Sequence, residues 1–220
     1  MLEDAIAGVN GDICGDASVD IGDISGDWLR LKGLMERALS PERFVHSLEV
    51  AGAAVSMGRA FGGDLERLAV AGLLHDGAKD MSDSELLAIA EAYGLITDPA
   101  ERRRPNLLHG PVASVLAPRD WGVTDPVIIE SIRYHTTGEA GISKEACIVF
   151  MADLIEPGRK YQGVQTLRRL CGEDLRAAVI EAIEQTVEYV KRVNKPFHQG
   201  MARCYDWIKS EGSISWRARK

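Results

Sequence analysis

The sequence has little that would place the protein in a membrane or in an oxidising compartment. No run in the 220 residues approaches the ~20 continuous apolar residues that a membrane span needs, and the N-terminus lacks the basic and apolar segments of a secretory signal. The cysteines (Cys14, Cys147, Cys171 and Cys204) form no CxxC pair, which excludes a zinc knuckle or a thioredoxin-type motif and favours free thiols in a reducing cytosol. We therefore expect a cytoplasmic protein without a membrane partner.

Basic residues are absent from the first part of the chain. Residues 1–27 hold seven acidic residues and no Lys or Arg, whereas residues 28–220 carry 26 acidic and 26 basic residues. The net charge of −7 therefore belongs to an acidic, Gly-rich extension at 1–27, which we predict to be flexible. A calcium loop at Asp12–Asp23 is disfavoured because no Glu closes it. A body without excess positive charge argues against DNA or RNA as a partner.

Strict alternation of apolar and polar residues is also lacking, so the sequence predicts few strands or none. Apolar residues instead recur with the helix period. Ser40-Pro41, Asp64 and the capping-box spacing of Ser82–Glu85 indicate helix starts. The predicted helices cover 28–39, 41–60, 65–76, 82–93, 111–117, 125–135, 144–155, 164–171, 174–193 and 199–210. We predict an all-α fold, one domain of about nine or ten helices over residues 28–212 with a short tail at 213–220.

Ionisable residues lie on the apolar faces of several of these helices. Asp76 follows Leu73 by three positions, Asp153 follows Val149 by four, and His46 and His135 also share a face with apolar residues. Buried carboxylates and imidazoles that converge need a cation or a proton between them. A single histidine on a helix is usually a satisfied core or surface residue, but the ensemble of imidazoles and carboxylates favours a site for iron, manganese, cobalt or zinc rather than calcium.

Two stretches resemble the signature of the HD-domain metal phosphohydrolases, namely Arg43–Leu48 and Ala71–Asp80. Further stretches narrow the resemblance to the YqeK-type symmetrical diadenosine tetraphosphate hydrolases of bacteria: Leu107–Val112, Ile132–Gly138, Ala152–Arg159, Lys195–His198 and Tyr205–Ile208. The resemblance covers about Leu29–Ile208 and leaves the acidic extension outside. The sequence departs from the family pattern at Gly77, where the family usually has a larger apolar residue. We expect this glycine to loosen the turn after Asp76 and to leave the predicted ligands unchanged.

The resemblance implies a metal-dependent hydrolase that splits diadenosine tetraphosphate symmetrically into two molecules of ADP with a metal-activated water. It implies iron as the metal, in one or two ions, with manganese or cobalt as substitutes. The implied metal ligands are His46, His75, Asp76 and Asp153, and the implied catalytic residues are Asp76, Lys79 and His109. The implied substrate-binding residues are Arg43, Asp76, Gly77, Ala78, Lys79, His109, His135, Asp153, Arg159, Pro196, Phe197, His198, Gln199, Gly200 and Met201. The last six would approach a base or ribose.

Other functions stay open at this point. An HD-domain enzyme for mononucleotides or cyclic dinucleotides would use the same metal ligands. A nucleotide sensor without catalysis, or a helical scaffold, would not need the full ligand set, and the presence of that set favours an enzyme. The sequence leaves open whether His109 and His135 hold a second metal and whether the chain forms a homodimer.

Overall fold

The computed structural model describes residues 27–210 and 216–218. They form α1 (Asp27–Ala38), α2 (Pro41–Phe61), α3 (Leu65–Leu74), α4 (Asp83–Ala92), α5 (Pro99–Arg103), a 3₁₀ helix (Pro105–Leu108), α6 (His109–Asp120), α7 (Pro126–Tyr134), α8 (Lys144–Ile155), α9 (Val164–Cys171), α10 (Leu175–Arg192) and α11 (Gln199–Ser210). Of the predicted acidic extension, only Asp27 lies within the described residues.

The all-α prediction is confirmed, with more helices than the sequence indicated. The unpredicted elements are α5 and the 3₁₀ helix, which have five and four residues and are too short to show a hydrophobic period. Helix α6 begins at His109, before the predicted start at Pro111, and continues past Pro118. In the described residues, the β-type pairing is a single antiparallel bridge between Asp174 and Arg217.

Three predicted helix starts are found in place, and they are held in different ways. Asp64 accepts a hydrogen bond from the backbone N–H of Arg67, at 3.1 Å. Ser82 and Glu85 form the predicted capping box. Ser40 is the N-cap residue of α2, but its side chain makes no capping bond. Its backbone N–H instead donates to Asp80 Oδ2, at 2.7 Å, which ties the start of α2 to the turn after α3.

Helix α8 is the centre of the bundle. Its residues 146–152 are all buried, and α2, α3, α7, α9 and α10 pack against it. This environment requires apolar residues around the whole helix rather than along one stripe. Within the described part of the chain, no helix combines the length and apolar character needed to cross a membrane.

Part of the predicted C-terminal tail lies against the bundle. Trp216 is buried, and its carbonyl accepts a hydrogen bond from the backbone N–H of Leu175, at 3.0 Å. Its ring meets the Trp207 ring edge-on, with centroids 6.2 Å apart. Residues 216–218 therefore cover the start of α10, and the predicted domain boundary at 212 stays a prediction.

Candidate metal and phosphate site

The close approach of α2 and α3 sets the position of His75 and Asp76, which follow the last residue of α3. A Cβ at Gly72 would lie 2.7 Å from the Cα of Ala51, so this contact between the helices needs glycine. His75 and Asp76 are buried where α3 ends. The two side chains are thus held in the interior, facing the N-terminal half of α2.

Helices α2 and α8 bring a second pair of side chains to this point. His46 lies in the first turns of α2, and Asp153 lies in the last turn of α8. The distance from His46 Nε2 to Asp153 Oδ1 is 3.1 Å, and from His46 Nε2 to Asp76 Oδ2 it is 3.6 Å. The four residues predicted as metal ligands, His46, His75, Asp76 and Asp153, therefore converge.

His109 and His135 complete the cluster from the other side of Asp76. Their Nε2 atoms are 2.9 Å apart and lie 3.1 and 3.6 Å, respectively, from Asp76 Oδ1. The other oxygen, Oδ2, faces His46 and His75. Asp76 thus stands between two pairs of histidines. We call the four histidines with Asp76 and Asp153 the His/Asp centre.

All four histidines of the His/Asp centre direct Nε2 inward because Nδ1 has a partner elsewhere. Three of them donate Nδ1–H to the carbonyl three residues earlier in the chain: His75 to Gly72, His109 to Asn106 and His135 to Ile132. His46 is the exception, since its Nδ1 lies 3.2 Å from Glu156 Oε1. A carbonyl or carboxylate oxygen only accepts, so Nδ1 carries a proton, and in the neutral imidazole Nε2 then presents a lone pair.

The His/Asp centre fits a divalent metal. His75 Nε2 is fully buried and has no hydrogen-bond partner in the described residues, a costly state that a metal would relieve. Two groups of three residues each bring their donor atoms within 4.8 Å of one another. One group is His46, His75 and Asp153, and the other is His75, Asp76 and His135. Mixed imidazole and carboxylate donors suit iron, manganese, cobalt or zinc.

Burial and close contacts shift the pKa values in the His/Asp centre. Burial alone would lower the pKa of His46, but hydrogen bonds to Asp153 and Glu156 outweigh it and raise the pKa to about 9. Burial opposes ionisation of Asp76, yet interactions with His75 and His109 hold its pKa well below the usual range. Burial lowers the pKa of His109, so this imidazole favours its neutral form.

Three cationic side chains surround the His/Asp centre and remain partly exposed. Arg43 Nη1 lies 2.8 Å from Asp76 Oδ2, and Lys79 Nζ lies 3.3 Å from His109 Nε2. Arg159 donates hydrogen bonds to both the side-chain carboxylate and the backbone carbonyl of Asp153. Their side chains are 30%, 23% and 33% exposed, so each is partly accessible to an anionic ligand.

The predicted base-binding stretch, Pro196–Met201, packs against α5 and the segment after His135. His198 Nε2 lies 3.2 Å from Glu101 Oε1, and the backbone N–H of Gln199 donates to Asp98 Oδ2, at 2.8 Å. A Cβ at Gly200 would lie 3.0 Å from the carbonyl of Gly138, in the segment that follows His135. The stretch therefore borders the segments that carry His109 and His135.

The turn after Asp76 is closed rather than loosened by Gly77. A Cβ at position 77 would collide with the indole ring of Trp121, which is buried against the glycine. The backbone N–H of Gly77 donates to Leu74, and that of Lys79 donates to Asp76. Our expectation of a loose turn was wrong because a large side chain from the end of α6 fills the volume that a larger residue 77 would take.

Sequence reasoning missed two side chains at the His/Asp centre. Glu156 binds His46, and Thr136 places Oγ1 2.9 Å from His135 Nε2 and 3.2 Å from His109 Nε2. Thr136 directly follows the predicted site residue His135, and Glu156 lies three positions after the predicted site residue Asp153. That proximity in sequence was the available signal.

Comparison with known proteins agrees with this geometry. The HD domain family model matches residues 43–158. The symmetrical bis(5'-nucleosyl)-tetraphosphatase of Bacillus subtilis is 31% identical over 176 residues, 80% of this chain and 94% of that protein. The protein of the same name from Staphylococcus aureus is 34% identical over 139 residues, 63% and 71% of the two chains.

A solved structure supports the same assignment. A predicted HD superfamily hydrolase involved in NAD metabolism from Clostridium acetobutylicum superimposes with a TM-score of 0.80 at 30% identity, over 83% of this chain and 97% of that one. The chain belongs to the HD-domain family, among the symmetrical bis(5'-nucleosyl)-tetraphosphatases.

Proposed function

We propose that this chain hydrolyses diadenosine tetraphosphate at its central phosphoanhydride bond and releases two molecules of ADP. The observation that carries the proposal is the His/Asp centre itself, in which Asp76 lies between two pairs of inward-facing histidines with Arg43, Lys79 and Arg159 around it. Relatives of similar length bear the name of this activity.

We propose iron as the metal, with manganese or cobalt as substitutes, held by His46, His75, Asp76 and Asp153. The unpartnered Nε2 of His75 and the mixed donor set support this assignment. A divalent metal bound there supplies positive charge to the phosphate oxygens and lowers the pKa of a coordinated water. A cytoplasmic location stays a prediction.

The chain's own residues bind and neutralise the polyphosphate. Arg159 and Arg43 can each donate two hydrogen bonds to a phosphate, and Lys79 adds a compact charge. Burial lowers the pKa of Lys79, and the carboxylate of Asp76 opposes that shift. These cations are oriented by Asp76 and Asp153 before substrate arrives, which reduces the entropy lost on binding.

Two groups are placed to handle protons. The ionised carboxylate of Asp76 can accept a hydrogen bond from the attacking water and orient it. His109 is the first residue of α6, where the helix dipole favours an anion, and its Nε2 lies 3.1 Å from Asp76 Oδ1. When Nε2 is protonated, His109 can donate a hydrogen bond to a phosphate oxygen, and a phosphate leaving group needs little further protonation.

The test is a product analysis with anaerobically loaded ferrous protein and diadenosine tetraphosphate. Asp76→Asn removes the central carboxylate, and Asp120→Asn is the matched control because Asp120 is an exposed partner of Arg119. We expect ADP as the sole product, lost in Asp76→Asn and kept in Asp120→Asn. ATP with AMP would contradict central cleavage, and no turnover by the loaded protein would contradict the activity.

A further inference from the structure

A recess lies between α9, α10 and the segment that joins α8 to α9, and Leu154, the neighbour of Asp153, contributes to its lining. Its volume is about 730 Å³, within the range of roughly 300–1,000 Å³ that is common for small-molecule pockets. None of the residues predicted to bind substrate lines it. We call it the α9–α10 pocket.

Tyr161 connects this pocket to the His/Asp centre. Its hydroxyl donates to the backbone carbonyl of Leu154, at 2.9 Å, while Arg159 Nε donates to the carbonyl of Asp153, at 2.7 Å. The two side chains therefore bind consecutive carbonyls of α8, one belonging to a predicted metal ligand and the next belonging to a residue that lines the pocket. Arg159, a predicted substrate-binding residue, and Tyr161 are thus attached to neighbouring residues of α8.

The lining of the α9–α10 pocket has the chemistry that recognises a nucleoside. Tyr161 is 39% exposed, so it offers a ring face for stacking. The ring of Tyr189 carries the cations of Arg192 and Lys195, at 5.8 and 5.7 Å from its centroid. Gln185 Nε2 donates to Glu181 Oε1, at 2.9 Å, which orients an amide that can pair with the edge of a base. The carboxylates of Glu181 and Glu188 can accept hydrogen bonds from ribose hydroxyls.

A glycine in the backbone of this pocket, Gly163, leaves room for the side-chain amide of Gln185. Gly163 has φ +98°, and a Cβ there would lie 2.5 Å from Gln185 Oε1. Any other residue at 163 would be strained and would displace the Gln185 side chain. Gly163 is thus the residue that keeps the amide in its place in the pocket.

We propose that the α9–α10 pocket binds one of the two nucleosides of the dinucleoside tetraphosphate, an inference that rests on the proposed function. Central cleavage requires that the halves on both sides of the scissile bond be held. The stretch 196–201 is the predicted site for one nucleoside, and the α9–α10 pocket is the site for the other. Tyr161 is then a binding residue that contacts the base.

The first test compares two substrates that share the phosphate chain. Diadenosine tetraphosphate carries two nucleosides, whereas adenosine 5'-tetraphosphate carries one. That single nucleoside can occupy the predicted site at residues 196–201 and leave the α9–α10 pocket empty. We expect Tyr161→Ala to lower kcat/KM for the first about 30-fold, equivalent to about 2 kcal/mol, and to lower it for the second less than about twofold. Tyr161→Phe keeps the ring and should retain most of the activity.

Tyr93→Ala is the control, since Tyr93 is an exposed tyrosine outside the pocket. Equal losses on both substrates would overturn the proposal.

The second test does not depend on turnover. Calorimetric titration of the metal-loaded protein with ADP should give two ADP per chain for the wild type and one for Tyr161→Ala. One ADP per wild-type chain would overturn the second nucleoside site. Two ADP per chain without cleavage of diadenosine tetraphosphate would contradict the proposed function and support the pocket.

Discussion

Glu156 binds the imidazole of His46 from the side opposite to the His/Asp centre, with Oε1 3.2 Å from Nδ1. The backbone N–H of Gly158 in turn donates to Glu156. A carboxylate behind a ligating histidine fixes its tautomer and raises its basicity. Glu156 is therefore a positioning residue for His46.

Replacement of Glu156 by Gln should weaken metal binding. We expect an increase of about 10–100-fold in the metal dissociation constant, because the amide orients His46 less firmly. Competition with a chromophoric chelator measures it. Glu145→Gln is the control, since Glu145 lies at the far end of α8 and contacts the backbone of Asp64. Unchanged metal affinity in Glu156→Gln would refute the positioning role.

Metal binding should raise the melting temperature through His75. A metal at about 100 times its dissociation constant stabilises a protein by about 2.7 kcal/mol, or roughly 5–10 °C for a domain of this size. Calorimetric scans with and without metal should show this shift in the wild type and lose it in His75→Ala. His198→Ala should keep the shift, because His198 binds Glu101 instead. A full shift in His75→Ala would exclude His75 as a ligand.

The contact between Gly77 and Trp121 should appear as an energetic coupling. Gly77→Val should cost about 1–3 kcal/mol of unfolding free energy, because the new side chain meets the indole ring. In a Trp121→Ala background the same change should cost less, since the volume is then empty. Urea unfolding of the two single variants and the double variant gives the coupling. Strictly additive losses would contradict the contact.

The hydrogen bonds of Glu101 should make part of the stability depend on pH. Burial opposes its ionisation, but hydrogen bonds from His198 and from the backbone of Asp98 lower its pKa below the ordinary 4.5. A lowered folded pKa gives stability that is present above the unfolded value and is lost as the pH falls through the folded value.

Glu101→Gln should consequently be less stable than the wild type at pH 7 by about 1–3 kcal/mol. The gap should narrow as the pH falls below 4.5, where the carboxylate of the unfolded chain takes up a proton before that of the folded protein does. Urea unfolding at several pH values measures it. The control is Glu91→Gln, since Glu91 is an exposed partner of Arg102. A gap that stays constant with pH would show that the charge of Glu101 is not its source.

The helical period of apolar residues was sufficient to predict the inward orientation of side chains whose position depends on their own helix. Asp76 and Asp153 were predicted to face inward from the apolar residues three and four positions before them, and both do so. Glu156 was missed because its partner, His46, lies 110 positions away and on another helix. The fit of Trp121 against Gly77 also depends on tertiary packing that no local pattern reports.

The bond between His198 and Glu101 has a consequence for the order of events during binding. It joins the start of α11 to α5, and α5 leads through the 3₁₀ helix to His109. A nucleotide that stabilises residues 196–201 also stabilises this connection and the segment that carries His109. We therefore expect affinity for the nucleoside and affinity for the phosphate to be thermodynamically linked, so that each increases when the other site is occupied.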